Sequence, residues 1–227
     1  MVQNQAEVLP VAEVSQEKTL SIFELIMDGG VGGQIIMGIL FLLLIVGVYI
    51  YVERFLSIKA ASKEDKNFMN QIKEQISMGN IDAAKALCAK VDTPVANLIQ
   101  KGVSRIGKPL DDINTAIENA GKLEIYKLEK NVSVLATISG AAPMIGFLGT
   151  VIGMIISIHE IANAGGQIDI KMLSDGLYTA MTTTVGGLIV GIISYITYNH
   201  LVVKTDKVVY QMEAKSVEFL DLLNEPM

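Results

Sequence analysis

Three long stretches without a charged side chain constrain this chain more than any other feature. They are Gly29–Val52 with 24 residues, Asn131–Ile158 with 28 and Gly176–Val203 with 28, and none contains Asp, Glu, Lys or Arg. An α-helix needs about 20 mainly apolar residues to cross the hydrocarbon core of a bilayer. Each stretch is long enough, so the sequence predicts a membrane protein with three transmembrane helices.

The rest of the chain supplies a sizeable aqueous part. Mean hydropathy is +0.44, and 51% of the residues are hydrophobic, which is high for a soluble domain but moderate for a membrane protein. Residues 53–130 carry thirteen Lys or Arg and eleven Asp or Glu. A charge-rich region of this size between two spans predicts a folded domain on one side of the membrane.

Most basic residues near the ends of the predicted spans lie on one side, and the loop over 159–175 carries a single Lys. The positive-inside rule counts Lys and Arg close to the span ends and largely ignores acids. With the N-terminus outside and the C-terminus inside, nine basic residues face inward: Arg54, Lys59, Lys63, Lys66, Lys122, Lys127, Lys130, Lys204 and Lys207. Residues 1–28, which carry five acids and one Lys, then lie outside.

Helical spacing of apolar residues continues beyond the spans, and no segment shows the alternation of a strand. The fold class is therefore predicted as all-α, with three transmembrane helices extended into a cytoplasmic helical bundle. The first helix is expected to reach about Ser77, an uninterrupted helix to run from Leu110 to Pro143, and the third to continue beyond Lys204. Further boundaries are predicted at Gly79-Asn80, at Thr93-Pro94 and at Gly107-Lys108-Pro109.

The chain then divides into seven segments. Ser21 and Glu24 have the spacing of a capping box, which predicts a short interfacial helix before the first span. The segments are an outer N-terminal part over 1–34, spans over 35–52, 131–158 and 176–203, an inner helical region over 53–130, an outer loop over 159–175 and an inner C-terminal helix over 204–227.

The second and third spans each carry one face of small and hydroxyl side chains, whereas the first span is uniformly apolar. These faces recur every three or four residues, as Ser139, Ala142, Gly146, Thr150, Gly153 and Ser157 in the second span and Gly176, Thr179, Thr183, Gly186, Val190, Ser194 and Thr197 in the third. One interpretation is close helix packing. The other is that part of these faces lines a pore, and that interpretation requires an oligomer because two such spans cannot enclose a pore.

No carboxylate lies within any span, although a proton relay through a membrane needs a titratable group there. If the protein handles protons, a partner chain must bring the carboxylate.

The single cysteine, Cys88, is expected to be a buried helical thiol, and His159 and His200 lie at the ends of different spans. No nucleophile–base or metal-ligand constellation is present, so neither an enzyme nor a metal, cofactor or nucleic-acid site is expected.

The run Ala142–Met154, which reads APMIGFLGTVIGM, resembles the signature of the ExbB/TolQ proteins, distant relatives of the flagellar stator protein MotA. The resemblance covers about residues 20–200 and is strongest to ExbB. It extends to Leu128–Ser139, to Thr179–Thr184 with Gly187-Leu188 and Tyr198-Asn199, and to Ala86-Leu87-Cys88 and Thr93-Pro94.

The resemblance implies a proton-driven motor subunit of the bacterial inner membrane, with a periplasmic N-terminus and a cytoplasmic C-terminus. It implies a homopentamer around a dimer of a single-span partner, ExbD or TolR, whose membrane Asp lies in the pore. Motion of this motor would be transmitted through TonB to outer-membrane transporters or through TolA to envelope constriction. Thr150 and Thr184 match the family's pore threonines. The other candidate residues are Thr179 and Thr183 for the pore, and Pro143, Gly146, Gly149, Gly153 and Gly187 for helix packing or a kink.

The chain departs from the family pattern at two positions. Many members have Glu where this chain has Thr179, and Ile192-Ile193 stands where the family has Ile-Pro. The first departure suggests that a partner Asp alone suffices for proton transfer, and the second puts the family's kink in doubt. The alternatives are a TolQ-like subunit of the Tol-Pal envelope system and a non-conducting membrane scaffold. A self-sufficient channel or transporter is disfavoured because the sequence has three spans and no repeat.

Overall fold

A computed structural model describes residues 31–63, 67–163 and 170–224. The described residues form helices joined by short turns, without a strand, which confirms the predicted all-α class. The helices are α1 Val31–Ala61, α2 Phe68–Ser77, α3 Ile81–Lys90, α4 Pro94–Val103, α5 Leu110–Glu129, α6 Val132–Asn163 and α7 Ile170–Asn224. The predicted interfacial helix before the first span lies outside the described residues.

Three of these helices, α1, α6 and α7, are long and apolar enough to cross a membrane. The most apolar is α1, and it exposes large side chains around much of its surface, including Phe41, Leu42 and Tyr49. Its narrow buried side, with Ile36 and Leu40, packs against Ile138 of α6 and Val190 of α7. The helix with the fewest inward contacts is thus the one whose side chains suit lipid.

Outside the three candidate spans, α2 to α5 pack around the second half of α7 to form a helical bundle. Its most buried side chains come from several helices, and Phe219 of α7 lies close to Gly102 of α4 and Ile117 of α5. A Cβ on Gly102 would lie 2.5 Å from Phe219 Cε1. Because α7 continues unbroken from the membrane into this core, as predicted, the two parts share one long helix of 55 residues.

Local sequence explains the helix boundaries inside the bundle. Thr93 caps α4 by accepting a hydrogen bond from the Ala96 backbone N–H at 3.3 Å, and Pro94 follows as the first helical residue. Gly79 and Gly107 adopt φ values of +76° and +97°, a region that suits glycine. The predicted boundaries at these positions are confirmed.

Two predicted helix continuations are wrong. The first helix ends at Ala61 rather than near Ser77, and a separate helix, α2, begins at Phe68. As a separate helix, α2 buries Phe68, Met69, Ile72 and Ile76 in the bundle core.

The helix from Leu110 does not run without interruption to Pro143, because α5 and α6 are separated at Lys130–Asn131. Asn131 has φ +63°, in the left-handed region that Asn adopts more often than most residues with a side chain. The buried Arg54 of α1 donates from Nη1 to the Lys127 carbonyl at 3.0 Å, which places a cation on the C-terminal end of α5. Pro143 lies inside α6 and does not end it.

The buried thiol of Cys88 gives a test of the bundle. Burial raises its pKa to about 11, against about 8.5 for an unfolded chain. The folded state therefore holds the thiol proton more tightly, so this contribution to stability is complete below about pH 8.5 and is lost as the pH rises towards 11. We expect iodoacetamide at pH 8 to alkylate the native protein far more slowly than the denatured protein, as measured by mass spectrometry. Equal rates would contradict the buried position, and Cys88→Ala provides the unlabelled control.

Candidate functional site: the seam between the second and third spans

The small-residue faces of α6 and α7 pack against each other within one chain. We call this contact the seam; it comprises Ser139, Ala142, Pro143, Gly146, Gly149, Gly153 and Ser157 of α6 with Gly176, Ala180, Thr183, Thr184, Gly187 and Gly191 of α7. Lipid tails are as apolar as the side chains, so helices in a membrane associate through close van der Waals contact and hydrogen bonds. Small residues along the seam permit that contact.

The two backbones touch at Gly146 and Gly187. A Cβ on Gly146 would lie 2.8 Å from the Thr183 carbonyl oxygen and 3.0 Å from the Gly187 Cα. A Cβ on Gly187 would lie 2.6 Å from the Ala142 carbonyl oxygen. Because the colliding atoms belong to the backbone, no side-chain rotation can relieve the overlap, and only glycine fits at both positions.

Pro143 contributes to the same seam. Proline has no backbone N–H, so it cannot donate the usual helical hydrogen bond to the Ser139 carbonyl. A Cβ on Gly191 would lie 3.1 Å from that carbonyl oxygen and 2.6 Å from Pro143 Cγ. The proline ring and the freed carbonyl therefore both face Gly191, where the absence of a side chain leaves room for them.

Thr183 lies in the interior of the protomer and is 1% exposed. Its hydroxyl donates to the Ala180 carbonyl at 2.9 Å, and a Cβ on Gly149 would lie 2.6 Å from Thr183 Cβ. Gly153 packs on Ala180 in the same way, since a Cβ on Gly153 would lie 3.2 Å from the Ala180 Cβ. In this protomer, Thr183 therefore fills space between α6 and α7.

Thr150 and Thr184 are half-buried, and each hydroxyl donates to a backbone carbonyl. Thr184 Oγ1 donates across the seam to the Gly146 carbonyl at 3.2 Å, whereas Thr150 Oγ1 donates to the Phe147 carbonyl of its own helix. A hydroxyl that has donated its proton still has oxygen lone pairs that accept a hydrogen bond. Both side chains can therefore accept from a group that approaches the exposed side.

Thr179 lies where α7 meets α1. A Cβ on Gly33 of α1 would lie 2.5 Å from Thr179 Cγ2, so the two helices approach closely at this point. Sequence reasoning missed Gly33, although a Gly32-Gly33 pair inside an apolar helix is a signal for close packing. It also missed that Ser157 is buried against Gly176 and donates to the Gly153 carbonyl at 3.0 Å.

The described part of the chain contains no group of three His, Cys, Asp or Glu residues that could hold a metal ion. Fold and seam together define an all-helical membrane protein whose second and third spans form a glycine-packed pair rich in hydroxyl groups. Residues 90–214 match the sequence profile of the MotA/TolQ/ExbB proton channel family. The chain belongs to this family, and within it is most like ExbB.

Curated relatives agree with this assignment. A biopolymer transport protein ExbB from Neisseria meningitidis is 25% identical over 189 residues, covering 75% of this chain and 83% of that protein. A biopolymer transport protein ExbB from Aquifex aeolicus is 37% identical over 103 residues, covering 44% and 69% respectively. A putative biopolymer transport protein ExbB homolog from Methanothermobacter thermautotrophicus is 23% identical over 197 residues, covering 85% and 67%.

The backbone contact in the seam predicts a position-specific effect of alanine. We expect Gly146→Ala to destabilise the protein by about 1–3 kcal/mol because the new Cβ overlaps the backbone of α7. Gly140 lies in the same helix, and a Cβ there would meet nothing within 4 Å, so Gly140→Ala is the matched control. Thermal unfolding of the purified protein in detergent, followed by circular dichroism, measures the difference. Equal melting temperatures for the two variants would refute the seam.

Proposed function

We propose that this protein is the ExbB-like subunit of a motor driven by the proton-motive force in the bacterial inner membrane. In this proposal, five copies surround a dimer of a single-span, ExbD-like partner whose membrane carboxylate titrates. The motor energises TonB-dependent transport across the outer membrane. The N-terminus is periplasmic and the C-terminus is cytoplasmic.

The observation that carries the proposal is a pair of spans with hydroxyl groups and no acid. Residues 131–158 and 176–203 contain no Asp or Glu, while membership of a proton channel family calls for proton transfer. Threonine hydroxyls can accept and donate hydrogen bonds but do not titrate near neutral pH. A second chain must therefore supply the group that gains and loses the proton.

The geometry of Thr150 and Thr184 suits contact with such a partner. Both hydroxyls already donate to carbonyls, so their free capacity is to accept. A protonated carboxylic acid is a donor, whereas an ionised carboxylate is an acceptor only. These threonines would favour the protonated partner acid over the ionised form, and so help it lose its charge as it passes through the membrane.

Assembly into an oligomer is supported by the apolar surfaces beside the seam. Met144, Phe147 and Leu148 of α6 and Met181 and Val185 of α7 are exposed in the single chain. A single pair of helices cannot enclose a pore, so the partner helices and neighbouring copies would cover these faces. The strongly apolar α1 would then lie on the outer side of the oligomer, towards lipid.

The long α7 supports a mechanical role. It packs against α6 and α1 in the membrane and places Phe219, which is fully buried, in the core of the bundle. A displacement of the seam would therefore be transmitted to the cytoplasmic bundle without a flexible joint in α7. This supports a motor subunit over a scaffold, in which no such coupling is needed.

Replacing the two accepting hydroxyls tests the proton pathway. We expect the double variant Thr150→Val/Thr184→Val to lose most energised uptake while the oligomer remains assembled, since valine matches threonine in volume but cannot hydrogen-bond. The lost polar contact is worth about 1 kcal/mol per hydroxyl. Thr182→Val is the matched control, because Thr182 donates to the Tyr178 carbonyl and lies on a different side of α7. Full activity of the double variant would exclude this role.

Thr179 separates a partner-only proton pathway from one that needs this hydroxyl. We expect Thr179→Ala to reduce energised transport only modestly, with normal assembly. Thr179→Glu should be tolerated if the position is hydrated in the oligomer, whereas in a dry site the acid would cost several kcal/mol. An inactive Thr179→Ala in a normal oligomer would show that the partner acid does not suffice.

Co-purification distinguishes the alternatives. An ExbD-like or TolR-like chain with a membrane Asp, retained at two copies per five, would support the motor, and the identity of the downstream protein would separate the TonB-type from the TolQ-like system. A stable oligomer that shows no proton flux in vesicles with its partner present would favour the non-conducting scaffold.

A further inference from the structure

A basic cleft lies between α1 and α7 where both helices leave the apolar spans. Its volume is about 190 Å³, and it is lined by Phe55, Ile58, Lys59, Ser62, Lys204 and Lys207. Ile58 is buried at the base, the three lysines are exposed, and Ser62 adds a half-buried hydroxyl. The cleft thus combines an apolar base with a positively charged rim.

Helical register brings these residues together from two distant parts of the sequence. Phe55, Lys59 and Ser62 are separated by four and three residues, so they share one face of α1. Lys204 and Lys207 are three residues apart and share one face of α7. The two faces meet at the cleft, so the three charges converge although they are far apart in the chain.

The three cleft lysines have no hydrogen bond or ion pair within the described part of the chain. Asp206, which lies between the two α7 lysines in sequence, lines a different groove, which it shares with Glu129 and Lys130. In this part of α7, the two lysines therefore face α1, whereas the acid faces the α5–α6 junction.

Three rings place the cleft at the level of a membrane interface. Tyr51 Oη and His200 Nδ1 are hydrogen-bonded at 3.0 Å, and Phe55 stacks on the His200 ring with centroids 5.8 Å apart. Tyr51 and His200 lie close to the ends of the charge-free runs and Phe55 lies three residues beyond, a region where aromatic side chains commonly meet lipid headgroups. Lys204 and Lys207 follow His200 by about one and two helical turns, and Lys59 follows Phe55 by about one turn, so all three lysines lie beyond the charge-free runs.

We propose that this cleft binds the headgroup of an anionic phospholipid from the leaflet that faces the bundle. Lys59, Lys204 and Lys207 would contact the phosphate and the second anionic or hydroxyl part of the headgroup, with Ser62 as a further donor. The acyl chains would lie along the exposed apolar surface of α1. This site is separate from the threonines of the proposed proton pathway, and its occupancy does not depend on proton flow.

Native mass spectrometry of the full-length protein, titrated with phosphatidylglycerol and separately with phosphatidylethanolamine, tests the site. We expect the wild type to bind phosphatidylglycerol more tightly. The double variant Lys204→Gln/Lys207→Gln should weaken phosphatidylglycerol binding about 30-fold, from the typical contribution of a lysine at an anionic surface. The matched control is Lys130→Gln, a lysine in the break between α5 and α6 that lines the mixed groove instead.

Three results would overturn the proposal. Equal affinity of the wild type for both lipids would show that the cleft does not distinguish an anionic headgroup from a zwitterionic one. A loss of about 5-fold or more in Lys130→Gln, which is the effect of one lysine at an anionic surface, would show attraction to a basic membrane face rather than a defined cleft. Displacement of the lipid by inorganic phosphate or glycerol 3-phosphate would show that the lysines bind a free phosphate. Because none of these measurements uses energised transport, failure here leaves the proposed motor function unaffected.

Discussion

The contact between the backbones of Gly146 and Gly187 is the interaction on which the membrane part of this protein depends. In lipid, burying apolar side chains between helices gains little, so the pair of spans must be stabilised by contact at short range. Glycine at both positions removes the side chains that would keep the axes apart. This close approach also brings Thr184 within hydrogen-bonding distance of the Gly146 carbonyl and encloses Thr183.

A second constraint is the continuity of α7. One helix provides half of the seam and also a large part of the bundle core, so the membrane and aqueous parts cannot pack independently. The other long elements are interrupted near the membrane face, after Ala61 in α1 and at Lys130–Asn131 between α5 and α6. Arg54 joins these two regions through the Lys127 carbonyl. The arrangement concentrates bends at the membrane surface and leaves α7 as the continuous connection.

Sequence patterns predicted most of the fold but not every boundary. Spans could be recognised because twenty or more residues without charge have few other places to lie in a folded protein. The Thr93-Pro94 start and the glycine turns could be recognised because those residue types favour particular backbone angles. The break at Asn131 could not be recognised, because apolar spacing continues on both sides and a single Asn is a weak signal for the positive φ that it adopts. The end of α1 at Ala61 likewise depends on the core that α2 enters.

Within the candidate site, sequence established that two spans carry hydroxyl and small residues on one face, because helical periodicity alone places them there. Which of these face each other, and which stay accessible, depends on how α6 and α7 pack. Thr183 and Thr184 are adjacent in sequence and differ in direction by about 100°; one is enclosed by Gly149 and the other keeps an exposed side. Lys204, Asp206 and Lys207 read as a mixed-charge run, yet the lysines face α1 and the acid faces away. The length of an uncharged run and the charges beside it can be read from the sequence alone. The exposure of a side chain and the clustering of charges are decided only when distant helices pack together.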